Sequence, residues 1–290
     1  MEWVQGIQNA IRYIEDNLIE DLDYNKIAKQ ANVSSFLFQR SFNILCGFTL
    51  GEYIRNRRLT LAGMELSSEN MTTNTSSKIR IIDIAIKYGY DSPDSFTKAF
   101  TRFHGIPPSL AKKEGANLKS VASLKIKFTL EGGSIMDYKI ETKPAFSVIG
   151  TVKEFNSETM GSSEIPQFWS KHYESGDCKY ISGQYGICYD HDSDSGNFCY
   201  MIADDAKDKG DIPDNFIKLE IETKTWAVFP VKGAMPKAIQ DINNEIWSQW
   251  FPNCREYEPD GNINIEMYTC GDTDSDDYYS EVWIPVKKKD

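Results

Sequence analysis

Residues 89–108 read GYDSPDSFTKAFTRFHGIPP, and their punctuation marks out one short helix. Ser92 has the side chain to cap an N-terminus, Pro93 suits the first helical position, and Gly105 suits the left-handed residue that ends a helix. Pro107 and Pro108 forbid continuation. Within that frame Phe96, Phe100 and Phe103 fall at i, i+4 and i+7 and form one apolar stripe. Ser95, Thr97, Lys98, Thr101 and Arg102 point elsewhere. One greasy face and one small, polar, partly basic face also suit a plain surface helix on a core.

The stretch has a twin. IAKQANVSSFLFQRSFNILCGFTL (27–50) lies over IAIKYGYDSPDSFTKAFTRFHGIPP (84–108). Ile27-Ala28 matches Ile84-Ala85 at an offset of 57, and after one extra turn residue Phe38, Arg40, Phe42 and Gly47 match Phe96, Lys98, Phe100 and Gly105 at 58. Each copy reads helix, turn, helix, with Ala28 and Ala85 small where two helices approach. Between the copies, LGEYIRNRRLTLAGMEL (50–66) predicts a helical rod of roughly 25 Å at about 1.5 Å per residue. Such a rod can hold two like helices one DNA turn, about 34 Å, apart. The polar run SSENMTTNTSSK (67–78) reads as a flexible loop.

This double helix-turn-helix resembles the DNA-binding domain of the AraC/XylS family of transcription regulators, over roughly residues 5 to 113. IIDIAIKYGYDSPDSFTKAFTRFHGIPPSLAKK carries the likeness almost unbroken, while the 67–78 loop is longer than the usual connection. The resemblance implies double-stranded DNA as a partner, with RNA polymerase as a further one. It implies Phe36, Gln39 and Arg40 in the first reading helix, and Ser95, Thr97 and Lys98 in the second, as DNA contacts. Their chemistry fits: Gln pairs with adenine, Arg or Lys with guanine or phosphate, and hydroxyls with either. Asp94 suits the helix dipole better than a base. Arg55, Arg57 and Arg58 on the rod are equally open to solvent and phosphate roles.

The charge is divided along the chain. Residues 1–114 hold 14 Lys and Arg against 13 Asp and Glu, the remainder 18 against 30, and the whole chain carries a net charge of -11. An acidic second half repels a phosphate backbone, so nucleic-acid contact belongs to the first. At 290 residues the chain suits two domains. No apolar run approaches a membrane span and no signal sequence opens the chain, which points to the cytoplasm and away from a membrane partner. The six cysteines form no C-x-x-C pair, and His104, His172 and His191 have no usual ligand spacing, so neither a metal site nor a cofactor is expected.

Beyond a linker at 115–135, alternating runs such as YKIETKPAFSVIG signal half-buried strands. A second duplication appears there. IETKPAFSVIGTV (140–152) recurs as IETKTWAVFPVKG (221–233), FWSKHY (168–173) as IWSQWF (246–251), and ICY (187–189) as EMY (266–268). Each copy reads strand, helix, strand, strand, so residues 136–290 are expected to form an α+β domain with a pseudo-two-fold axis and a cleft between its halves. GQYGICYDHD, TWAVFPVKGAMPKAIQDINNEIWSQWFPN and YYSEVWIPVKK make this domain similar to the GyrI-like effector-binding fold of multidrug-responsive regulators.

That likeness implies an acidic residue near the chain end in an aromatic pocket for organic cations. Glu281 of SEVWIP is the matching candidate and Glu266 of IEMY the second. Alternation puts Glu281 with Trp283 on one face and Glu266 with Tyr268 on one face. A carboxylate on a buried face needs compensation, which a cationic guest supplies; an exposed position, or pairing with a lysine such as Lys287, is the plainer alternative. Trp169, Trp247 and Trp250, with Tyr185 and also Trp226, Tyr189 and Tyr200, offer faces for cation–π contact, although most aromatic residues are simply core. The chain therefore reads as a multidomain regulator, not an enzyme: an all-α DNA-binding domain (1–114), then a GyrI-like sensor of a small amphipathic or cationic effector. A GyrI-like hydrolase using a glutamate to activate water, or a drug-sequestering protein, is the rival reading.

Overall fold

In the computed structural model the described residues are 2–68, 80–125, 136–156, 164–190, 197–207 and 212–289. The first half comprises α1 (Glu2–Asp16), α2 (Tyr24–Lys29), α3 (Ser35–Cys46), α4 (Leu50–Ser68), α5 (Ile81–Lys87), α6 (Pro93–His104) and α7 (Pro108–Ala111). Ser34 caps α3 by accepting the Leu37 amide, and Ser92 caps α6 by accepting the Ser95 amide. Both helices end on left-handed glycines, Gly47 at φ 72° and Gly105 at φ 82°. The pairs α2–α3 and α5–α6 are thus two copies of one unit, and α4 is the rod between them, about 28 Å long at 1.5 Å per residue. Apart from Ser67 and Ser68, which end α4, the polar run 67–78 lies outside the described residues.

Each unit has its own core. Ile14, Ile27, Ala28, Phe38, Phe42, Leu50 and Tyr53 close the first, and Leu59, Leu66, Ile84, Ala85, Phe96 and Phe100 close the second, with Phe103 at its half-buried edge. Two of the rod arginines, Arg57 and Arg58, serve the fold. Arg57 forks onto Glu15 of α1 (Nε–Oε1 2.9 Å, Nη2–Oε2 2.6 Å) and also donates to the Val121 carbonyl; Arg58 donates to the carbonyls of Leu18 and Glu20. Neither is poised over a phosphate or left to solvent.

His104 is buried beside Gly63, where a Cβ would lie 2.9 Å from the ring. Its Nδ1 accepts the Lys119 amide, so Nε2 carries the proton and faces the Leu59 carbonyl at 3.0 Å. Burial lowers its pKa below the ordinary 6.5, with nearby Lys119 adding to the effect. As pH falls through that value the unfolded chain takes up a proton before the folded one does, so stability is lost on the acid side. Thermal unfolding of the wild type between pH 7 and 5 should show this loss, and His104→Gln should flatten it. An equal slope in both proteins would assign the acid sensitivity elsewhere.

The second half runs β1 (Lys139–Lys143), β2 (Phe146–Asn156), α8 (Glu164–Ser175), β3 (Tyr185–Tyr189), β4 (Asn197–Asp205), β5 (Ile217–Ile221), β6 (Lys224–Lys232), α9 (Lys237–Glu245), a π-helical turn (Ile246–Trp250), α10 (Phe251–Asn253), β7 (Tyr257–Pro259), β8 (Ile263–Tyr268) and β9 (Tyr279–Lys288). The sheet order is β1-β6-β9-β8-β3-β4-β2-β5, with β7 added on β9. Exchanging each strand for its repeat partner (β1 with β5, β2 with β6, β3 with β8, β4 with β9) reverses this order, so a pseudo-two-fold axis passes between β3 and β8.

One expectation needs correction. The repeat unit has an additional opening strand, because Pro144 and Ala145 break YKIETKPAFSVIG in two. That opening strand crosses over: β1 pairs with β6 and β5 with β2, so each half completes the other. The two halves meet in one continuous sheet, because β3 and β8 pair directly. One sheet face carries α8 and α9 and shares its core with Trp3, Ile7, Phe36 and Leu37 of the DNA-binding half. The other curls round a cluster made only of strand residues, among them Tyr185, Met201, Trp226, Ile265 and Trp283.

Candidate effector site and DNA-reading helices

The two like helices stand in unlike surroundings. On α6, Ser95 and Lys98 are exposed and Thr97 is half-buried, which leaves the polar face expected of a reading helix open. Asp94 lies in its first turn. On α3 the corresponding face is covered. Phe36 is buried against Phe198 of β4 (ring centroids 6.3 Å apart), and Gln39 is 6% exposed, its amide turned back to Ser35 Oγ at 3.1 Å. Ser34 donates across to the Gly261 carbonyl at 2.9 Å.

Arg40 goes furthest into the second half. Its Nη2 lies 3.2 Å from Glu266 Oε1, with the two side chains 13% and 14% exposed. Nη1 reaches Cys188 Sγ at 3.3 Å, and Nε is buried without a hydrogen-bond partner. Burial opposes the guanidinium charge, but Cys188 and Glu266 outweigh it and raise the pKa. The Cys188 thiol is itself pushed up to about 12 by burial, so it is neutral at physiological pH.

Glu266 sits in a box of aromatic side chains. Tyr268 donates to its Oε2 at 2.9 Å and Tyr200 at 3.3 Å, while Trp169 Nε1 donates to the Tyr200 hydroxyl at 3.0 Å and meets the Tyr268 ring edge-on. Burial, then Glu266, holds the Tyr200 hydroxyl well above its usual range, and Tyr268 likewise, so both remain neutral donors. Gly186 makes the space: a Cβ there would lie 2.2 Å from the Tyr200 oxygen and 3.3 Å from Glu266 Oε2. A glycine inside a strand marks such a close approach.

Glu281 lies on the opposite sheet face. Register decides this: Glu266 pairs with Val282 and Met267 with Glu281. Its oxygens are taken by Tyr279 (2.7 Å) and by Trp283 Nε1 (2.6 Å), with Lys139 Nζ 3.9 Å away. Lys143 stands over the Trp283 ring at 4.2 Å, and Tyr185 meets that ring edge-on. The sequence candidates therefore divide into two groups, Glu266–Tyr268–Trp169 and Glu281–Trp283–Tyr185. Trp247 and Trp250 belong to neither: Trp247 packs on Trp3 and Phe251, and Trp250 on Phe229 and Tyr138.

Comparison with known proteins matches two families along the chain. Residues 27–114 match the family described as a helix-turn-helix domain, and residues 139–286, just over half of the chain, match the family described as an integron-associated effector binding protein. The transcriptional activator AarP of Providencia stuartii is 39% identical over 104 residues, covering 36% of this chain and 71% of AarP. The regulatory protein SoxS of Salmonella typhimurium is 36% identical over 109 residues, covering 38% of this chain and 94% of SoxS. The chain belongs to the AraC family. It is a DNA-binding transcriptional regulator of that family with an effector-binding domain. Among solved structures, SAV2435 bound to tetraphenylphosphonium is 24% identical at a TM-score of 0.46, covering 52% of this chain and 94% of SAV2435.

For this AraC-family regulator, sequence reasoning supplied Glu266, Tyr268, Trp169 and Arg40 but did not join them. It missed Cys188 and Gly186, the latter legible as the odd residue of the apolar run YGICY. Among the described residues no His, Cys, Asp or Glu group is arranged to hold a metal ion, and no helix is long and apolar enough to cross a membrane; His191 lies outside them.

Proposed function

We propose that this regulator senses a flat organic cation, and that Glu266 rather than Glu281 is the carboxylate that receives it. One observation carries the reading: Glu266, which accepts from Tyr268 and Tyr200, already holds a delocalised planar cation, the Arg40 guanidinium, at 3.2 Å. Such a cation loses less hydration on burial than a compact ammonium and gains from the ring faces. Glu281 is engaged by donors of its own strand, Tyr279 and Trp283, and has lysines beside it. Both carboxylates are thus held by fixed partners, which favours binding over the activation of water. On the DNA side, the exposed Ser95 and Lys98 of α6 suit direct contact, and α3 suits it only when undocked.

Titrating the full-length protein with phenylguanidinium, and with its neutral isostere phenylurea, tests the site through tryptophan fluorescence. Glu266→Gln should weaken the cation at least 10-fold and spare phenylurea, while Glu281→Gln should change neither. Equal losses for both guests would make Glu266 a structural residue. A loss confined to Glu281→Gln would move the site to the other face.

A further inference from the structure

The Arg40–Glu266 pair joins two things a regulator must couple, a reading helix and an effector box. We propose that Arg40 is a tethered occupant of that box, which holds the first reading helix off DNA until a diffusible cation takes its place. This inference rests on Glu266 being the effector carboxylate, as argued above. The docked state and the DNA-bound state exclude one another, because Phe36, Gln39 and Arg40 are the residues that would meet the major groove and all three are covered. A ligand that binds only the undocked state shifts the balance by its differential affinity, and the coupling is reciprocal: DNA on α3 must raise affinity for the cation by the same factor.

The contact is built to be reversible. Arg40 makes one charged hydrogen bond to Glu266 where a fork would make two, spends Nη1 on a thiol, a weak acceptor, and buries Nε unpaired. A buried pair of this kind adds little net stability, since desolvation offsets its attraction. A cavity of about 190 Å³ lies along the same contact, between Val33, Ser34 and Leu37 on one side and Pro259, Asp260 and Gly261 on the other. The second reading helix differs. Its counterpart of Arg40 is Lys98, exposed on α6. The effector therefore gates one head of two and changes the length of DNA covered.

Arg40→Ala in the full-length protein empties the box. Phenylguanidinium should then bind at least 10-fold tighter than to the wild type. In amide hydrogen exchange, residues 35–46 should lose protection when the wild type is saturated with phenylguanidinium, and in Glu266→Gln with no ligand, while residues 93–104 stay unchanged. Equal affinity of wild type and Arg40→Ala would overturn the tethered-occupant idea and leave the proposed site standing; absence of binding to both would sink the two together. Loss of protection at 93–104 as well would show general loosening and count against the gate. Should Glu266→Gln fail to fold, the Arg40→Ala titration and the wild-type exchange still decide.

Discussion

Gly150→Ala should deprive the second half of its cooperative unfolding transition. A Cβ at this position would lie 1.9 Å from the Ile202 carbonyl oxygen and 2.8 Å from the Ala203 Cα, both backbone atoms that no rotamer change can move aside. β2 cannot retreat, because it is hydrogen-bonded on both sides, Gly150 standing opposite Ala203 of β4 and Ile217 of β5. Overpacking usually costs about 1–3 kcal/mol and more when backbone must shift. Here the neighbour Ile149 lies in the core shared with α1 and α3, so the damage reaches the domain contact. Denaturant unfolding followed by tryptophan fluorescence checks it. A sharp transition at the wild-type midpoint would contradict the strand geometry.

Phe100→Ala should remove the second reading head while leaving the first one docked. Phe100 is fully buried at the centre of a small cluster with Leu59, Ile84, Tyr88 and Phe96, and its ring stacks obliquely on His104 at 4.2 Å. Truncating a buried phenylalanine costs about 3–5 kcal/mol, a large part of the roughly 5–15 kcal/mol that holds a domain together. The second unit shares little of its core with the sensor, so α3 keeps its contacts with β4 and β8. Exchange protection should vanish at 93–104 and persist at 35–46. Simultaneous loss at both segments would show that the two units unfold as one.

Much of the fold was legible because its signals are local. A cap, a proline and a left-handed glycine act within a few residues, so the helix between Ser92 and Gly105 could be delimited, and the repeat carried its ending to Gly47 in the first unit. Duplication was legible for the same reason in both halves. The site was only partly legible. Alternation along a strand tells which residues share a face, but not which face two strands share; that needs the β8–β9 register, which puts Glu266 and Glu281 on opposite sides. The contact of Arg40 with Glu266 was hidden because its own helix says nothing of what covers it. The strand exchange of β1 and β5 was hidden because a proline-broken run looks like one strand until its partners are known.

The order of these parts along the chain sets a timing during synthesis. α3 is complete at Cys46, whereas the strand bearing Glu266 is made about 220 residues later. At roughly 5–20 residues per second, each new chain carries its first reading helix for on the order of 10–45 s before the strand that holds Arg40 is made. For that interval the Arg40–Glu266 contact has no second partner, and the covering of α3 is completed only once β8 has been made.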